Sequence, residues 1–274
     1  MATVGQALTA PESGWRRIEE IDGRFVYTGS WTSLTNTSSS GQKYIRSIES
    51  QCTLFFRVYT SRFRFIALMQ SSSSNNITVK IDGNLYSMSQ YSASGVFQGL
   101  AFEVLDLTKS VHTIEVISND TNQVIFDAMD IDIDGYLLHP YLNQVSDIKS
   151  MQVGDCIPFQ YLAPSGNAGG YIISIGNPYY DFGLPIAPLN TAYGVAYLIK
   201  VAKGLLICDR VVQTTITWLN LNTFGYIEGK VFDLSTINTR LHNSYENNNI
   251  KVTASGEFSS YYAWKVLSPI SGNQ

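Results

Sequence analysis

Apolar and polar residues alternate through most of the stretch from Thr53 to Asp134. Leu54, Phe56 and Val58 fall on one side of an extended strand, Phe63, Phe65, Ala67 and Met69 on one side of the next, and Ile77, Val79 and Ile81 on one side of a third. Successive side chains of a strand point to opposite faces, so a period of two marks half-buried β-strands. The runs VFQGLAFEVLDL (96–107), VHTIEVIS (111–118) and QVIFDAMDIDIDG (123–135) continue the strand-rich stretch. Asp82-Gly83 lies between two strand-like runs and reads as a hairpin turn. Short strands, turn residues between them and no helical periodicity predict an antiparallel β-sandwich in an all-β chain.

The flanks divide the chain into three segments. Residues 1–14 are small and polar, with Pro11 and Gly14 near the end. They read as an arm or linker, either disordered or docked on a partner chain. Residues 15–138 form the expected sandwich. Its first segment, WRRIEEIDGRFVYTGSW (15–31), reads as a charged stretch and a strand pair turned at Asp22-Gly23. Arg16, Arg17, Glu19 and Glu20 are expected to form a solvated face, whose ion pairs contribute under ~1 kcal/mol each. SLTNTSSSGQKY (33–44) and SSSSNN (71–76) read as polar loops, where a binding site or a tolerant surface would lie. His139-Pro140 ends the sandwich, and Ser146-Asp147 is expected to cap a single helical turn. Residues 139–274 read as a second β-rich domain, with a hairpin turn at Lys203-Gly204.

Composition narrows the function classes. Charged residues make up 15% of the chain, against roughly 25% in an average globular protein. Tyrosine, phenylalanine, serine, threonine and asparagine fill the gap, which suits neutral polar ligands or wet protein contacts. The net charge is −4 and no Lys/Arg run stands out, which argues against a nucleic-acid surface. Cys52, Cys156 and Cys208 are odd in number and widely spaced, and read as small buried side chains. Met1–Trp15 has neither a charged start nor an apolar core, so a secretory signal is not expected, and no apolar run approaches the ~20 residues needed to span a bilayer, so membrane insertion is not expected either.

Gly14-Trp15 with the Tyr27–Trp31 strand, the Lys80-Ile81-Asp82-Gly83 hairpin and the Phe126-Asp127-Ala128 strand are the most specific pieces of a pattern over residues 8–137. This pattern resembles a galactose-binding-like jelly-roll module of phage tail and tail-fibre proteins from Gram-positive hosts. A related sandwich precedes the catalytic domain of some SGNH carbohydrate esterases. The resemblance implies the jelly-roll fold, and by analogy sugar or cell-surface binding. SDIKSMQVGDCIPFQY and LLICDRVVQTTITWLNLNTFG (205–225) resemble a second module that follows the jelly roll in the same phage proteins.

Candidate chemistry is sparse. Asp130, Asp132 and Asp134 superficially open a calcium loop, but Tyr141 stands where an EF-hand needs a bidentate Glu. Three outward carboxylates on a strand is the expected reading. A Ca²⁺ held with help from a loop is the alternative, and no other cofactor is expected. Gly154-Asp155-Cys156 occupies the place of an SGNH Gly-Asp-Ser block, yet Cys replaces Ser and no Asp-x-x-His block follows. His112, His139 and His242 are too dispersed for a zinc site, and His112 is expected to be a hydrogen-bonded structural residue. Gly166–Gly170 lacks the Lys-Ser/Thr of a phosphate loop. Tyr179, Tyr180 and Asp181 set flat rings beside a polar group, the composition of a sugar site and also of a rigid interface loop.

The expectation is therefore a non-enzymatic component of a phage tail or tail-like particle. It would be made in the bacterial cytoplasm and carried in the virion, as a homo-oligomer among other tail proteins, and would attach to bacterial surface polysaccharide. The alternatives are a shell, sheath or filament subunit without glycan binding, and a polysaccharide-cleaving tailspike.

Overall fold

The computed structural model describes residues 2–163, 171–179, 192–210, 219, 232–233 and 251–252. The chain divides into two compact units, Met1–Tyr141 and Leu142–Gln274.

The first unit is the expected sandwich. One sheet has the order β1 (Trp15–Glu19), β12 (Ala128–Asp132), β6 (Phe63–Met69), β9 (Val96–Val104). The facing sheet has the order β13 (Tyr136–Leu138), β5 (Thr53–Thr60), β10 (Ser110–Ser118), β7 (Ile77–Ile81), β8 (Asn84–Met88), with β2 (Val26–Thr28) also on β5. A small third sheet joins β11 (Val124–Phe126), β4 (Lys43–Ser47) and β3 (Thr32–Thr35). All these pairings are antiparallel. The alternating residues read from the sequence form the core: Leu54, Phe56, Val58, Phe63, Phe65, Val79 and Ile114 are all buried. Phe126 packs against Phe25 and Phe65 at ring-centroid distances of 4.9 and 4.8 Å. Asp82 and Gly83 take φ of 49° and 91°, the positive pair that a two-residue hairpin needs.

Three expectations are corrected. β6 is buried along its whole length, not on one side only. The cause is the arm. Gly5 N–H bonds to Leu100 O, Leu100 N–H to Gln6 O, and Leu8 N–H to Gln98 O, all at 2.8 Å. Ala2 and Leu8 then cover Ile66, Leu100 and Ala128 on the outer face of the β1–β12–β6–β9 sheet. Residues 2–14 are thus part of the sandwich. Second, β1 and β2 are not a strand pair: they belong to different sheets. The Asp22 turn between them is held by a buried pair, Arg24 Nη2 to Asp22 Oδ2 at 2.7 Å. Third, residues 33–44 are not all loop, since β3 and the start of β4 lie there.

The second unit contains a sheet of order β15 (Tyr171–Ile175), β14 (Cys156–Ala163), β16 (Ala192–Ala202), β17 (Leu205–Cys208), again antiparallel. Cys156, Val195 and Tyr197 form its buried cluster. The β16–β17 hairpin turns at Lys203-Gly204, where Gly204 has φ 74°. The Asp147 carboxylate caps the 148–150 turn by accepting the Lys149 N–H at 2.9 Å. β18 (Phe232–Asp233) pairs with β19 (Lys251–Val252).

Candidate functional site

Of the two outer faces of the sandwich, the arm covers one. The other belongs to the β13–β5–β10–β7–β8 sheet, and it is aromatic. Leu54, Phe56 and Val58 point inward, so Phe55, Arg57 and Tyr59 point outward from β5. Tyr136 lies opposite Tyr59 and stacks on it, with centroids 5.2 Å apart and planes 21° apart. Tyr141 stacks on Phe55 at 5.9 Å and 8°. Arg57 stands between the two stacks and donates to His139 O at 3.2 Å. Lys109 Nζ sits 5.4 Å from the Tyr59 ring centroid. On β10, Thr113 lies beside Arg57 and Glu115 beside Phe55, and Glu115 pairs with Lys80 at 3.6 Å. Four residues of strand separate the two stacks by about 13 Å. This is a strip of paired rings edged by hydroxyl, guanidinium and carboxylate groups. Such a surface can pack against the C–H faces of an extended chain of sugar rings and bond its hydroxyls.

This strip is not legible in the sequence, apart from one signal. Phe55 and Tyr59 occupy the outward positions of a strand whose inward positions are already apolar. Their partners Tyr136 and Tyr141 arrive from the other end of the domain, through the β13 register.

The calcium candidates do not converge on one point. Asp130 has no exposed side-chain surface and receives Arg17 Nε at 2.7 Å and Nη2 at 3.0 Å. Asp132 accepts from the Thr60 hydroxyl, Ser61 N–H and hydroxyl, Arg62 and Lys109. Burial alone would raise the Asp132 pKa. The Lys109 and Ser61 hydrogen bonds and the Arg62 guanidinium outweigh it and hold the group well below the usual carboxylate range. Asp134 pairs with Lys109. The outward carboxylates of the sequence reading are therefore matched to cations, and the first two are buried. Nearby, Trp15 lies between the Arg62 and Arg64 guanidiniums, 4.1 and 4.0 Å from its centroid, and Arg64 also pairs with Glu12 of the arm at 2.7 Å.

A second acidic group surrounds the Ser39–Gly41 turn. Asp127 Oδ1 accepts Ser40 N–H at 2.9 Å, and Glu19 Oε1 accepts the Ser40 hydroxyl at 2.8 Å. Glu20 Oε1, Asp127 Oδ2 and the Ser39 hydroxyl are buried without a hydrogen-bond partner. These oxygens are the donors a hard cation would use. Among the described residues, however, no three His, Cys, Asp or Glu side chains gather closely enough to hold a metal. Burial instead favours the protonated forms of these carboxyls. Burial, reinforced by Glu19 and Glu20, pushes Asp127 up to about 8. Burial, reinforced by Glu19, pushes Glu20 up to about 7. The expected solvated face at Arg16, Arg17, Glu19 and Glu20 is corrected here: Glu20 is 3% exposed, and Arg17 is committed to Asp130.

Tyr179 is 47% exposed and its N–H bonds to Asn177 Oδ1 at 3.0 Å. Tyr180 and Asp181 lie outside the described residues, as do Gly166–Gly170 and His242. Cys156 is fully buried in β14, while Asp155 accepts Gln152 N–H and an Asn143 side-chain N–H. Gly154-Asp155 is thus a turn leading into a core strand. His112 bonds through Nδ1 to Asp82 at 2.6 Å and through Nε2 to Thr108 O at 2.7 Å, tying the β7–β8 hairpin to β10.

No protein-family model matches the chain, and no curated protein does. Among solved structures, the chain is similar to a family two carbohydrate esterase from Cellvibrio japonicus, with TM-score 0.35 and 22% identity over 48% of this chain and 38% of that one. It thus spans well under half of that esterase. It is also similar to the CBM35 of Cellvibrio japonicus Abf62, with TM-score 0.37 and 13% identity over 44% of this chain and 97% of that one. A third likeness is to an exo-beta-1,3-galactanase from Phanerochaete chrysosporium, with TM-score 0.36 and 19% identity over 43% of this chain and 29% of that one.

Proposed function

We propose that the chain is a non-enzymatic glycan-binding component of a phage tail or tail-like particle, and that its first unit holds bacterial surface polysaccharide on the aromatic strip of Phe55, Tyr59, Tyr136 and Tyr141. The observation that carries the reading is the pair of ring stacks on the sandwich face that the arm leaves bare. The rings supply apolar contact, while Arg57, Thr113, Glu115 and Lys80 supply hydrogen bonds around them. Each contact is weak, and attachment comes from many copies acting together. The place in a phage tail rests on the resemblance of residues 8–137 to tail and tail-fibre modules.

The test is retention on purified Gram-positive cell-wall polysaccharide. Phe55→Ala and Tyr59→Ala are each expected to weaken binding about 5–20-fold, the loss of one ring contact. Both rings lie on the outer face, so thermal stability should fall far less than for a core aromatic. Retention unchanged in both variants would overturn the proposal. Shortened polysaccharide after incubation would assign the tailspike reading in its place.

A further inference from the structure

A strand at the edge of a sheet carries unpaired N–H and C=O groups, and folds usually guard them with charge, proline, a bulge or a covering segment. In the first unit the edge of β9 is guarded, because residues 5–8 bond to it. β8 is not. It ends its sheet, its first four residues are exposed, and Leu85 is 71% exposed. Asn84-Leu85-Tyr86-Ser87-Met88 has no charge and no proline, and pairs with β7 without a bulge. The hairpin determines which groups face outward. With Asp82 and Gly83 as the two loop residues, Ile81 and Asn84 close the turn as a hydrogen-bonded pair. Bonding alternates from there, so Tyr86 and Met88 also bond to β7, and the N–H and C=O groups of Leu85 and Ser87 point away from the sheet.

We propose that this edge is a homodimer contact, in which β8 of two copies pairs antiparallel about a two-fold axis at Tyr86. Leu85 then faces Ser87 of the second copy, and Ser87 faces its Leu85. Each pair exchanges two backbone hydrogen bonds, so all the outward groups of both residues are used. Tyr86 meets its own counterpart at the axis. The edge is self-complementary, as a two-fold contact must be, and its neutrality brings no like charges together. A charged foreign strand would find nothing on β8 to pair with, which favours a second copy as occupant. An axis perpendicular to the sheet keeps the outer faces on one side. On the glycan reading above, the two aromatic strips would then lie roughly 34 Å apart on one platform, seven strand spacings of ~4.8 Å. The dimer itself does not depend on that reading.

A five-residue edge is small beside a standard interface, so a dissociation constant on the order of 1–100 µM is expected. The test is sedimentation velocity of the full chain, without glycan, across that concentration range. Ser87→Pro removes an outward N–H and leaves the β7 pairing in place, as an edge strand tolerates. Leu85→Lys adds the charge that guards natural edges. The wild type is expected to pass from monomer to dimer, and each variant to raise the dissociation constant at least ~10-fold with an unchanged monomer melting temperature. A single-chain mass at every concentration, a trimer, or a dimer indifferent to both substitutions would overturn the proposal. Because no glycan is present, none of these results bears on the aromatic strip.

Discussion

Replacing Arg17 with methionine should lower the thermal midpoint of the first unit by about 10 °C or more, the largest loss expected from any single exposed-looking position. Arg17 reads as a surface residue in the sequence, yet its guanidinium makes a bidentate pair with Asp130, which has no exposed side-chain surface. The same guanidinium bonds Gln98 Oε1 and Leu8 O, both at 2.9 Å. It therefore joins β1, β12, the start of β9 and the arm. Methionine preserves much of the apolar stem and leaves a buried carboxylate without its cation, which typically costs about 3–5 kcal/mol. The double variant Arg17→Met/Asp130→Leu should recover most of the loss, because the penalty comes from the stranded charge rather than from the missing pair. Limited proteolysis supplies a second readout: the Arg17→Met chain should be cut within residues 2–14 faster than the wild type. A single variant that melts within 2–3 °C of the wild type would show that the pair is solvated.

The second large effect is on pH dependence, and it runs opposite to ordinary acid denaturation. Asp127 and Glu20 keep their protons in the folded chain up to about 8 and about 7. In the unfolded chain they lose them near the ordinary values of 3.8 and 4.5. Between pH 4 and pH 8 the unfolded chain therefore binds fewer protons than the folded one, and stability falls as pH rises. Below pH 4 both states are protonated and the two groups contribute no slope. The two share a neighbour, Glu19, while Lys43 and Arg17 offset part of the repulsion. Their shifts therefore do not add, and a loss of several kcal/mol across the window is expected, most of it from Asp127. Asp132, Asp82 and Asp155 oppose this at the acid end. Their pKa values are held low, so their contribution is present above pH 4 and lost below it. Chemical denaturation at fixed pH should place maximum stability near pH 4–5, lower than is usual. Asp127→Asn should flatten the decline toward pH 8 and leave the acid limb unchanged. Stability that rises from pH 5 to pH 8 would sink this account. Millimolar Ca²⁺ that cancels the alkaline decline would show that a cation, not protons, neutralises the Ser39–Gly41 region.

Both effects lie where the sequence reads as surface. WRRIEE reads as an exposed charged run because charged residues are almost never fully buried unless paired. The groups that decide their fate, Asp130 paired with Arg17 and Asp127 repelled by Glu19 and Glu20, are more than 100 positions away, and nothing local identifies them. The carboxylates of DAMDIDIDG likewise read as outward because Ile131 and Ile133 alternate with them. Ile131 does enter the core, but Ile133 is 62% exposed, and the outward face is itself covered by the arm. A short polar segment gives no sign that it will seal a sheet.

The candidate site divides in the same way. Tyr179 could be singled out because a tyrosine-rich, proline-bounded loop is a local composition. Phe55 and Tyr59 carry only a weak local signal, and the strip exists because β13 sets Tyr136 opposite Tyr59 and brings Tyr141 onto Phe55. The β8 edge is intermediate. Its hairpin, and hence which backbone groups face outward, follows from Asp82-Gly83 alone, while its place at the end of the sheet follows from topology.

Local chemistry by itself determined that the described residues are nearly all β, that the chain turns back at Asp82-Gly83 and Lys203-Gly204, and which alternating residues enter the sandwich core. These are governed by the two-residue period of a strand and by the positive φ of Asp82, Gly83 and Gly204, which act over a few neighbouring positions. Only the tertiary structure decided which outer face is sealed and which is bare, which carboxylates hold cations and which hold protons, and which rings stack. Each of those depends on groups far apart in the chain meeting at a distance of a few ångströms, where removal from water makes a charge or an unpaired polar atom costly enough to choose its partner.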